Sequence, residues 1–161
     1  MSSKLIIMSG PAGSGKSTWA LNYKMTNLNV EILSTDDLRQ KYFNTPYPDR
    51  KSENFIRKTI VSKAIELSSQ PNITVIIDSA VVKNKSIMKW WRKLSPYFDR
   101  SELIIIDTSL ENCLKQNQMR DRHVPEDVIK EMYSYKEPLN DELMDSFDYI
   151  SVFSNNCTKE D

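Results

Sequence analysis

The glycine residues of this chain are confined to one short segment. The 161 residues contain only three glycines, Gly10, Gly13 and Gly15, and all three lie in the sequence GPAGSGKS. This segment fits the pattern G-x-x-x-x-G-K-S/T, and it follows the apolar run at residues 5–8. A strand, a glycine-rich loop and a helix in this order form a phosphate-binding loop, whose backbone N–H groups surround the phosphates of a nucleoside triphosphate. The segment therefore predicts a nucleotide site and limits the fold to those that carry such a loop.

The residues of this loop have separate predicted roles. Lys16 would neutralise the β- and γ-phosphate oxygens of the bound nucleotide, and the Ser17 hydroxyl would be a ligand of Mg²⁺. From residues 10–18 we assign eight to the nucleotide site: Gly10, Ala12, Gly13, Ser14, Gly15, Lys16, Ser17 and Thr18. The alternative is a glycine turn that joins a strand to a helix and is followed by an incidental lysine. The complete pattern and the confinement of the glycines favour the nucleotide site.

Apolar segments alternate with helical patterns along the rest of the chain. Further strands are predicted at residues 30–34, 73–78, 103–107 and 149–153. Helices are predicted at residues 17–24, 36–42, 54–67 and 86–94, and from Pro125 onward. Together with the phosphate loop, this alternation predicts a doubly wound α/β fold of the P-loop NTPase type. A parallel sheet of four to five strands would be flanked by helices and would bind ligands at the carboxyl ends of its strands.

Length and composition favour one domain. The chain is 39% hydrophobic and 27% charged, which is typical of a folded globular protein. No run approaches the roughly 20 apolar residues that span a bilayer, and no secretory leader pattern precedes the first strand, so we expect a cytoplasmic protein without membrane contact. We expect a single domain over residues 1–153, a polar, frayed tail over residues 154–161, and no obligate protein partner. Cys113 and Cys157 form no cluster and are predicted to be reduced thiols.

The zero net charge of the chain conceals an uneven distribution. Residues 137–161 hold seven acidic residues and one basic residue, so the preceding part of the chain is net basic. A basic body favours a nucleotide or another polyanion as ligand. It is equally consistent with a solvated surface that is balanced by the acidic segment.

The absence of glycine after residue 15 excludes several classes of phosphate-loop protein. The D-x-x-G switch of signalling GTPases and the L-S-G-G-Q signature of transporter ATPases both require a later glycine. A small kinase remains, which transfers the γ-phosphate of a nucleotide to an acceptor. Such an enzyme needs a base on the acceptor side and cations around the migrating phosphate.

Asp36 and Arg39 are the candidates for the acceptor side. They follow the second predicted strand, and their spacing places both on one face of a helix. Asp36 would accept the proton of the attacking hydroxyl, and Arg39 would hold an anionic group of the acceptor. The alternative is a capped helix whose first turn favours acidic residues and contains an ordinary ion pair. Beside a phosphate loop, we favour the functional interpretation.

Two further positions belong to the predicted site. Asp78 ends the strand at residues 73–78 and would reach the water shell of Mg²⁺ or orient the acceptor. Asp107 ends a similar strand but is the lesser candidate, because only one of the two strands can neighbour the phosphate-loop strand on the acceptor side. Arg120 and Arg122 lie late in the chain, in a loop before the helix predicted from Pro125 onward, where a helical lid would close over the phosphates. Solvated loop charge is an equal alternative for these two arginines.

Three aromatic side chains have a structural interpretation that we prefer. His123, in a loop, is predicted to be a surface residue rather than a catalytic one. Trp90 and Trp91 would be able to stack on a base. However, one of them fits the apolar face of its helix with Ile87 and Leu94, so core packing is favoured.

Together these motifs resemble the 5′-hydroxyl polynucleotide kinases of phage type, within the small phosphate-loop kinases. The resemblance covers residues 4–135 and rests on four blocks: GPAGSGKSTWA from Gly10, DDLRQ from Asp36, IID up to Asp78, and Arg120 followed by VPEDVI and MY. It implies that Asp36 is the general base and that Arg39 binds an acceptor phosphate. It also implies that Arg120 contacts the donor phosphates and that Asp78 lies on the acceptor side.

The resemblance implies an ATP- and Mg²⁺-dependent kinase that phosphorylates the 5′-hydroxyl end of DNA or RNA. The segment DSAVV at residues 78–82 differs from the sequence motif that is common in the family at this position, and this difference bears on the identity of the acceptor. The chain has no phosphatase or ligase motif, so a stand-alone kinase module is expected. Two alternatives remain. One is a kinase for a small metabolite, nucleoside or modified base, and the other is a non-catalytic ATP-binding switch.

Overall fold

A parallel five-stranded sheet forms the centre of the computed structural model, which describes residues 2–45, 48–121 and 123–154. Its strands are β1 (Lys4–Ser9), β2 (Val30–Ser34), β3 (Thr74–Asp78), β4 (Arg100–Asp107) and β5 (Tyr149–Ser154). The strand order is β2-β3-β1-β4-β5, and all four neighbouring pairs are parallel. The carboxyl ends of the strands therefore meet at one edge, with the end of β1 between those of β3 and β4. The predicted α/β fold with a parallel sheet is confirmed.

Helices connect these strands. They are α1 (Lys16–Thr26), α2 (Thr35–Phe43), α3 (Arg50–Leu67), α4 (Asn84–Leu94), α5 (Leu110–Gln118), α6 (Glu126–Ser134) and α7 (Asp141–Ser146), with a 3₁₀ turn at Ser95–Tyr97. Helix α3 begins four residues before its predicted start because the Asp49 side chain caps it, accepting the Ser52 N–H at 2.8 Å. The sequence pattern does not delimit α5 or α7. Helix α5 buries only Cys113 and Asn117, and α7 has six residues, so neither has an apolar stripe long enough to recognise.

Both faces of the sheet are buried at the central strands β1 and β3, which explains their continuous apolar runs. Leu5, Ile7 and Ile77 point to one face, where α3 and α4 cover them. Ile6 and Ile76 point to the opposite face with a smaller cluster that includes side chains of α1. The expected core position of one tryptophan is confirmed: the core on the first face includes Trp90, which is 6% exposed. The indole N–H of Trp91 donates to the Ser101 hydroxyl at 3.1 Å.

Several predictions concern the ends of the chain and its thiols. The predicted frayed tail covers residues 154–161, but Ser154 is the last residue of strand β5. Residues 155–161, which include Cys157, lie outside the described residues. Cys113 is a free, buried thiol whose pKa is raised by its burial. In the part of the chain that the structure describes, no helix combines the length and apolar character needed to cross a membrane.

Candidate functional site

The phosphate loop joins β1 to α1 at the carboxyl edge of the sheet, and its glycines are required by its shape. The φ angles of Gly10, Gly13 and Gly15 are 151°, 82° and 105°. A Cβ atom on Gly13 would lie 2.5 Å from the carbonyl oxygen of Cys113 in α5, so both the backbone conformation and the contact exclude a side chain. The loop thus packs directly against the backbone of α5.

A cleft of about 310 Å³ opens in front of the loop. Its volume lies at the lower end of the range of small-molecule sites. Residues from the phosphate loop and α1, from α2, from the segment after β3, and from α5 and the loop that follows it line this cleft: Ala12, Gly13, Gly15, Lys16, Ser17, Thr18, Asp36, Asp78, Ala80, Gln116, Met119 and Arg120. Four of the five predicted catalytic residues therefore share one cleft, and the fifth, Arg39, lines the adjoining cavity.

Two residues of the predicted nucleotide site do not line the cleft. Gly10 donates its N–H to the carbonyl of Val81 at 3.0 Å. Ser14 is fully buried, and its carbonyl accepts the Thr108 hydroxyl at 2.7 Å. These contacts attach the loop to the segments that follow β3 and β4, so both residues shape the loop from behind.

Lys16 is a buried cation at the base of the cleft. Lys16 is only 7% exposed, and its Nζ donates to the carbonyl of Pro11 at 3.0 Å. Burial lowers the pKa of the ammonium below its ordinary value, while the nearby carboxylates of Asp78 and Asp36 oppose this shift. Because the charge of Lys16 is poorly solvated, it would interact strongly with an anion that bound in front of the loop.

Ser17 and Asp78 lie side by side at the loop. The Ser17 hydroxyl donates to Asp78 Oδ2 at 2.7 Å, and Asp78 is 6% exposed. A hydroxyl and a carboxylate are the hard oxygen donors that Mg²⁺ prefers, and Mg²⁺ takes its other ligands from water and phosphate. Within residues 2–45, 48–121 and 123–154, no cluster of three or more His, Cys, Asp or Glu side chains suits a metal ion. The pair thus fits Mg²⁺ as a companion of a bound nucleotide.

The sheet order separates Asp78 from Asp107. Strand β3 lies between β1 and β2, whereas β4 lies on the other side of β1. The Asp107 carboxylate accepts the ammonium of Lys136 at 2.8 Å and does not line the cleft. This geometry favours Asp78 over Asp107, as the sequence analysis does.

Asp36 and Arg39 form an ion pair at the edge of the cleft. Ser34 caps α2 by accepting the Asp37 N–H at 3.3 Å, and Arg39 Nη1 donates to Asp36 Oδ1 at 2.6 Å. The capped helix and the ion pair of the structural alternative are therefore both present. Asp36 nevertheless lines the cleft that contains the phosphate loop, so the two interpretations coexist.

Glu53 of α3 holds the other side of the Arg39 guanidinium. Arg39 Nε and Nη2 donate to its two carboxylate oxygens at 2.7 and 2.9 Å. Burial opposes the charge of Arg39, but its hydrogen bonds to Glu53 and the negative charge of Asp36 outweigh the effect of burial and raise the pKa of Arg39. Sequence reasoning missed Glu53, because an acidic residue in the first turn of a helix is already explained by the helix dipole.

Arg120 approaches the site from the loop after α5. Its Nη2 lies 3.9 Å from Asp36 Oδ2. The buried side chain of Asn117 closes this loop: its Nδ2 donates to the carbonyl of Val124 at 2.6 Å, and its Oδ1 accepts the Val124 N–H at 2.9 Å. Asn117 is a second residue that sequence reasoning missed, since one amide in a polar helix end gives no pattern. Of its neighbours, Arg122 lies outside the described residues and His123 is exposed, as predicted.

Comparison with known protein families shows the family of this chain. A family model described as an AAA domain, AAA_33, matches residues 5–139. This chain belongs to the AAA_33 family. Together with the parallel sheet and the phosphate loop, the match confirms the prediction of a small P-loop kinase domain.

Individual curated relatives are less than 30% identical to this chain. The L-seryl-tRNA(Sec) kinase of Methanococcus maripaludis is 29% identical over 136 residues, which cover 80% of this chain and 51% of that protein. Heterogeneous nuclear ribonucleoprotein U-like protein 2 of Homo sapiens is 28% identical over 162 residues, which cover 91% of this chain and 21% of that protein. The chain thus spans between a fifth and a half of the length of these curated relatives.

Among solved structures, the RNA repair complex Pnkp1/Rnl/Hen1 contains a similar chain. The TM-score is 0.75 at 23% identity, and the similarity covers 91% of this chain and 47% of that chain. At this level of identity the similarity concerns the fold, and it agrees with the α/β architecture of the AAA_33 chain.

Proposed function

We propose that this AAA_33 domain is an ATP- and Mg²⁺-dependent kinase that transfers the γ-phosphate to the 5′-hydroxyl end of DNA or RNA. The observation that carries the proposal is the position of Asp36. Its carboxylate lines the same cleft as the phosphate loop and faces two arginines, at 2.6 Å from Arg39 and 3.9 Å from Arg120. A base beside a phosphate loop and between cations is what phosphoryl transfer to a hydroxyl requires.

On the nucleotide side, positive charge would stabilise the transferred group. Lys16 would contact the β- and γ-phosphate oxygens from the base of the cleft, and Arg120 would approach them from the loop after α5. Ser17 and Asp78 would hold Mg²⁺, which neutralises phosphate oxygens when it is bound. Because Lys16 is buried, its charge would act at low dielectric, where it stabilises developing negative charge more strongly than it would in water.

On the acceptor side, Asp36 would orient the hydroxyl and accept its proton. Arg39 fixes the orientation of Asp36 through the 2.6 Å ion pair, and Glu53 fixes Arg39 in turn. A guanidinium has five N–H donors. Four of them are engaged by Asp36, Glu53 and, at 3.4 Å, the Thr35 hydroxyl, so one Nη2 N–H remains that would bind an acceptor phosphate.

The similar proteins support a nucleic acid as the acceptor. One is an L-seryl-tRNA(Sec) kinase by its name, and another belongs to an RNA repair complex. Binding of a nucleic acid would weaken steeply with salt, because phosphate contacts release counterions, whereas a small neutral acceptor would show little salt dependence.

A transfer assay with a panel of acceptors tests the proposal. The purified chain, Mg²⁺ and γ-labelled ATP are mixed with a 5′-hydroxyl oligonucleotide, its 5′-phosphorylated copy, free nucleosides and simple sugars. We expect label only on the 5′-hydroxyl strand. Label on a nucleoside or sugar alone would establish a small-acceptor kinase instead, and ATP binding without any transfer would indicate a non-catalytic nucleotide-binding module.

A further inference from the structure

A second cavity of about 130 Å³ adjoins the cleft on the side of Asp36. We call it the basic cavity, because four cationic side chains and one carboxylate line it. The cations are Arg39, Arg57, Lys89 and Lys93, and the carboxylate is that of Glu53. The buried ring of Trp90 also lines it.

The basic cavity and the cleft share one wall. Thr35 lines the basic cavity and the next residue, Asp36, lines the cleft. In the same way, Asp78 lines the cleft and Ser79 lines the basic cavity. The carboxyl ends of β2 and β3 thus separate the two spaces, and Arg39 extends from the basic cavity to the Asp36 carboxylate. A ligand that is extended beyond Asp36 reaches the basic cavity next.

The basic cavity is lined by one acidic side chain, which does not neutralise its four cationic side chains. Its single carboxylate, on Glu53, is already paired with Arg39. Arg57 of α3 and Lys89 and Lys93 of α4 are exposed, and the described part of the chain gives none of the three an acidic partner. Three unpaired cations that converge from two helices repel one another and favour an anion between them.

The size of the basic cavity limits what that anion can be. Pockets that enclose a whole small molecule have volumes of about 300–1,000 Å³, and this cavity has about 130 Å³. It suits a single phosphate group rather than a nucleoside. The hydroxyls of Thr35, Ser79 and Ser86 add hydrogen-bond donors for phosphate oxygens.

We propose that the basic cavity binds a second phosphate of the acceptor, beyond the phosphate nearest to the reacting hydroxyl. This inference rests on the proposed function and narrows it: the preferred acceptor is a strand with at least two phosphodiesters. The phosphate of a nucleoside 3′-monophosphate would contact Arg39 where it reaches Asp36, and would not extend to Arg57, Lys89 and Lys93. Lys89, Lys93 and Arg57 then determine the affinity for the strand and take no part in the transfer step.

Two lysines of α4 provide the test, with two lysines of α3 as a matched control. The variant Lys89→Gln/Lys93→Gln removes two charges from the basic cavity. The control Lys58→Gln/Lys63→Gln removes the same charge from exposed positions of α3 that do not line it. Steady-state kinetics are measured with a 5′-hydroxyl trinucleotide and with a nucleoside 3′-monophosphate as acceptors.

We expect the α4 variant to raise KM for the trinucleotide about tenfold, which is about 1.4 kcal/mol, with kcat unchanged. KM for the monophosphate should not change, and the control variant should match the wild type with both acceptors. The logarithmic salt slope for the trinucleotide should fall by about 0.7 for each lost phosphate contact. Equal effects on both acceptors, equal effects of the control, or no effect would overturn the inference.

A binding measurement without ATP separates failure of the inference from failure of the proposed function. Fluorescence anisotropy with a labelled trinucleotide reports the basic cavity whether or not phosphate is transferred. Weaker binding by the α4 variant than by the control supports the cavity even if the wild type phosphorylates no strand. Identical binding by the two variants overturns the cavity, even if the wild type is an active polynucleotide kinase.

Discussion

The amide of Asn117 provides a quantitative test of how the loop bearing Arg120 is held. Asn117 is 3% exposed and makes two hydrogen bonds with the backbone of Val124, at 2.6 and 2.9 Å. The Arg120 N–H also donates to the Asn117 carbonyl at 3.2 Å. The substitution Asn117→Ala removes both side-chain bonds and leaves the N–H and C=O of Val124 without these partners.

The expected cost follows from the two lost bonds. Each intramolecular hydrogen bond contributes about 0.5–1.5 kcal/mol net, so the free energy of unfolding should fall by about 1–3 kcal/mol. In a domain of this size, each kcal/mol lowers the melting temperature by about 2–4 °C. Because the loop carries Arg120, the rate of phosphate transfer should fall more than the affinity for ATP.

Urea denaturation, hydrogen exchange at the Val124 amide and single-turnover kinetics measure these effects. The neighbouring substitution Gln118→Ala is the control, since Gln118 is exposed and its amide donates to the Glu126 carboxylate at a long distance of 3.4 Å. It should cost less than about 0.5 kcal/mol. If Asn117→Ala is no more destabilising than this control, or if exchange at Val124 is unchanged, Asn117 does not close the loop.

Three further substitutions test other parts of the structure. Gly13→Ala should reduce ATP affinity and destabilise the chain by about 2–5 kcal/mol, because the new Cβ would lie 2.5 Å from the Cys113 carbonyl oxygen and the φ angle of residue 13 is 82°. Isothermal titration measures the ATP affinity and urea denaturation measures the stability. An ATP affinity equal to that of the wild type would contradict the prediction. Lys16→Met should abolish phosphate transfer yet stabilise the ligand-free chain at pH 7. Burial lowers the pKa of Lys16, so its buried charge reduces the free energy of unfolding, and this destabilisation is fully present below the lowered pKa. That stabilisation should shrink as the pH rises through the lowered pKa towards 10.5, the ordinary value, and a Met variant that melts below the wild type at pH 7 would refute the reasoning. Asn84→Ala should cost about 2–4 kcal/mol in urea denaturation, since its buried amide donates to Glu137 and to a backbone carbonyl, each at 2.8 Å; a loss below about 0.5 kcal/mol would mean that this contact is dispensable.

The sheet and the phosphate loop were predictable because their residues form local patterns. The apolar run that ends at Asp78 is buried throughout, as expected for a central parallel strand. The glycine pattern of the loop corresponds to positive φ angles and to a close approach by α5. In both places the local sequence and the tertiary environment impose the same requirement.

The remaining parts of the site depend on contacts between distant segments. Glu53 pairs with Arg39 across fourteen residues, and its position in a first helical turn has an ordinary explanation in the helix dipole. The choice between Asp78 and Asp107 depends on strand order, which places β3 and β4 on opposite sides of β1. The basic cavity joins α3 and α4, and no spacing within either helix indicates that their cations converge.

The most direct test of the central claim compares two adjacent carboxylates. Asp36 lines the cleft and its neighbour Asp37 is exposed, so Asp36→Asn and Asp37→Asn make the same chemical change at one helix turn. Single-turnover transfer of labelled γ-phosphate to a 5′-hydroxyl oligonucleotide is measured together with ATP affinity. We expect Asp36→Asn to reduce the rate at least about 100-fold, the typical minimum effect of a general base, with ATP affinity retained and Asp37→Asn near the wild type. Transfer by Asp36→Asn at the rate of the Asp37→Asn control would contradict the assignment of the base and the kinase mechanism built on it.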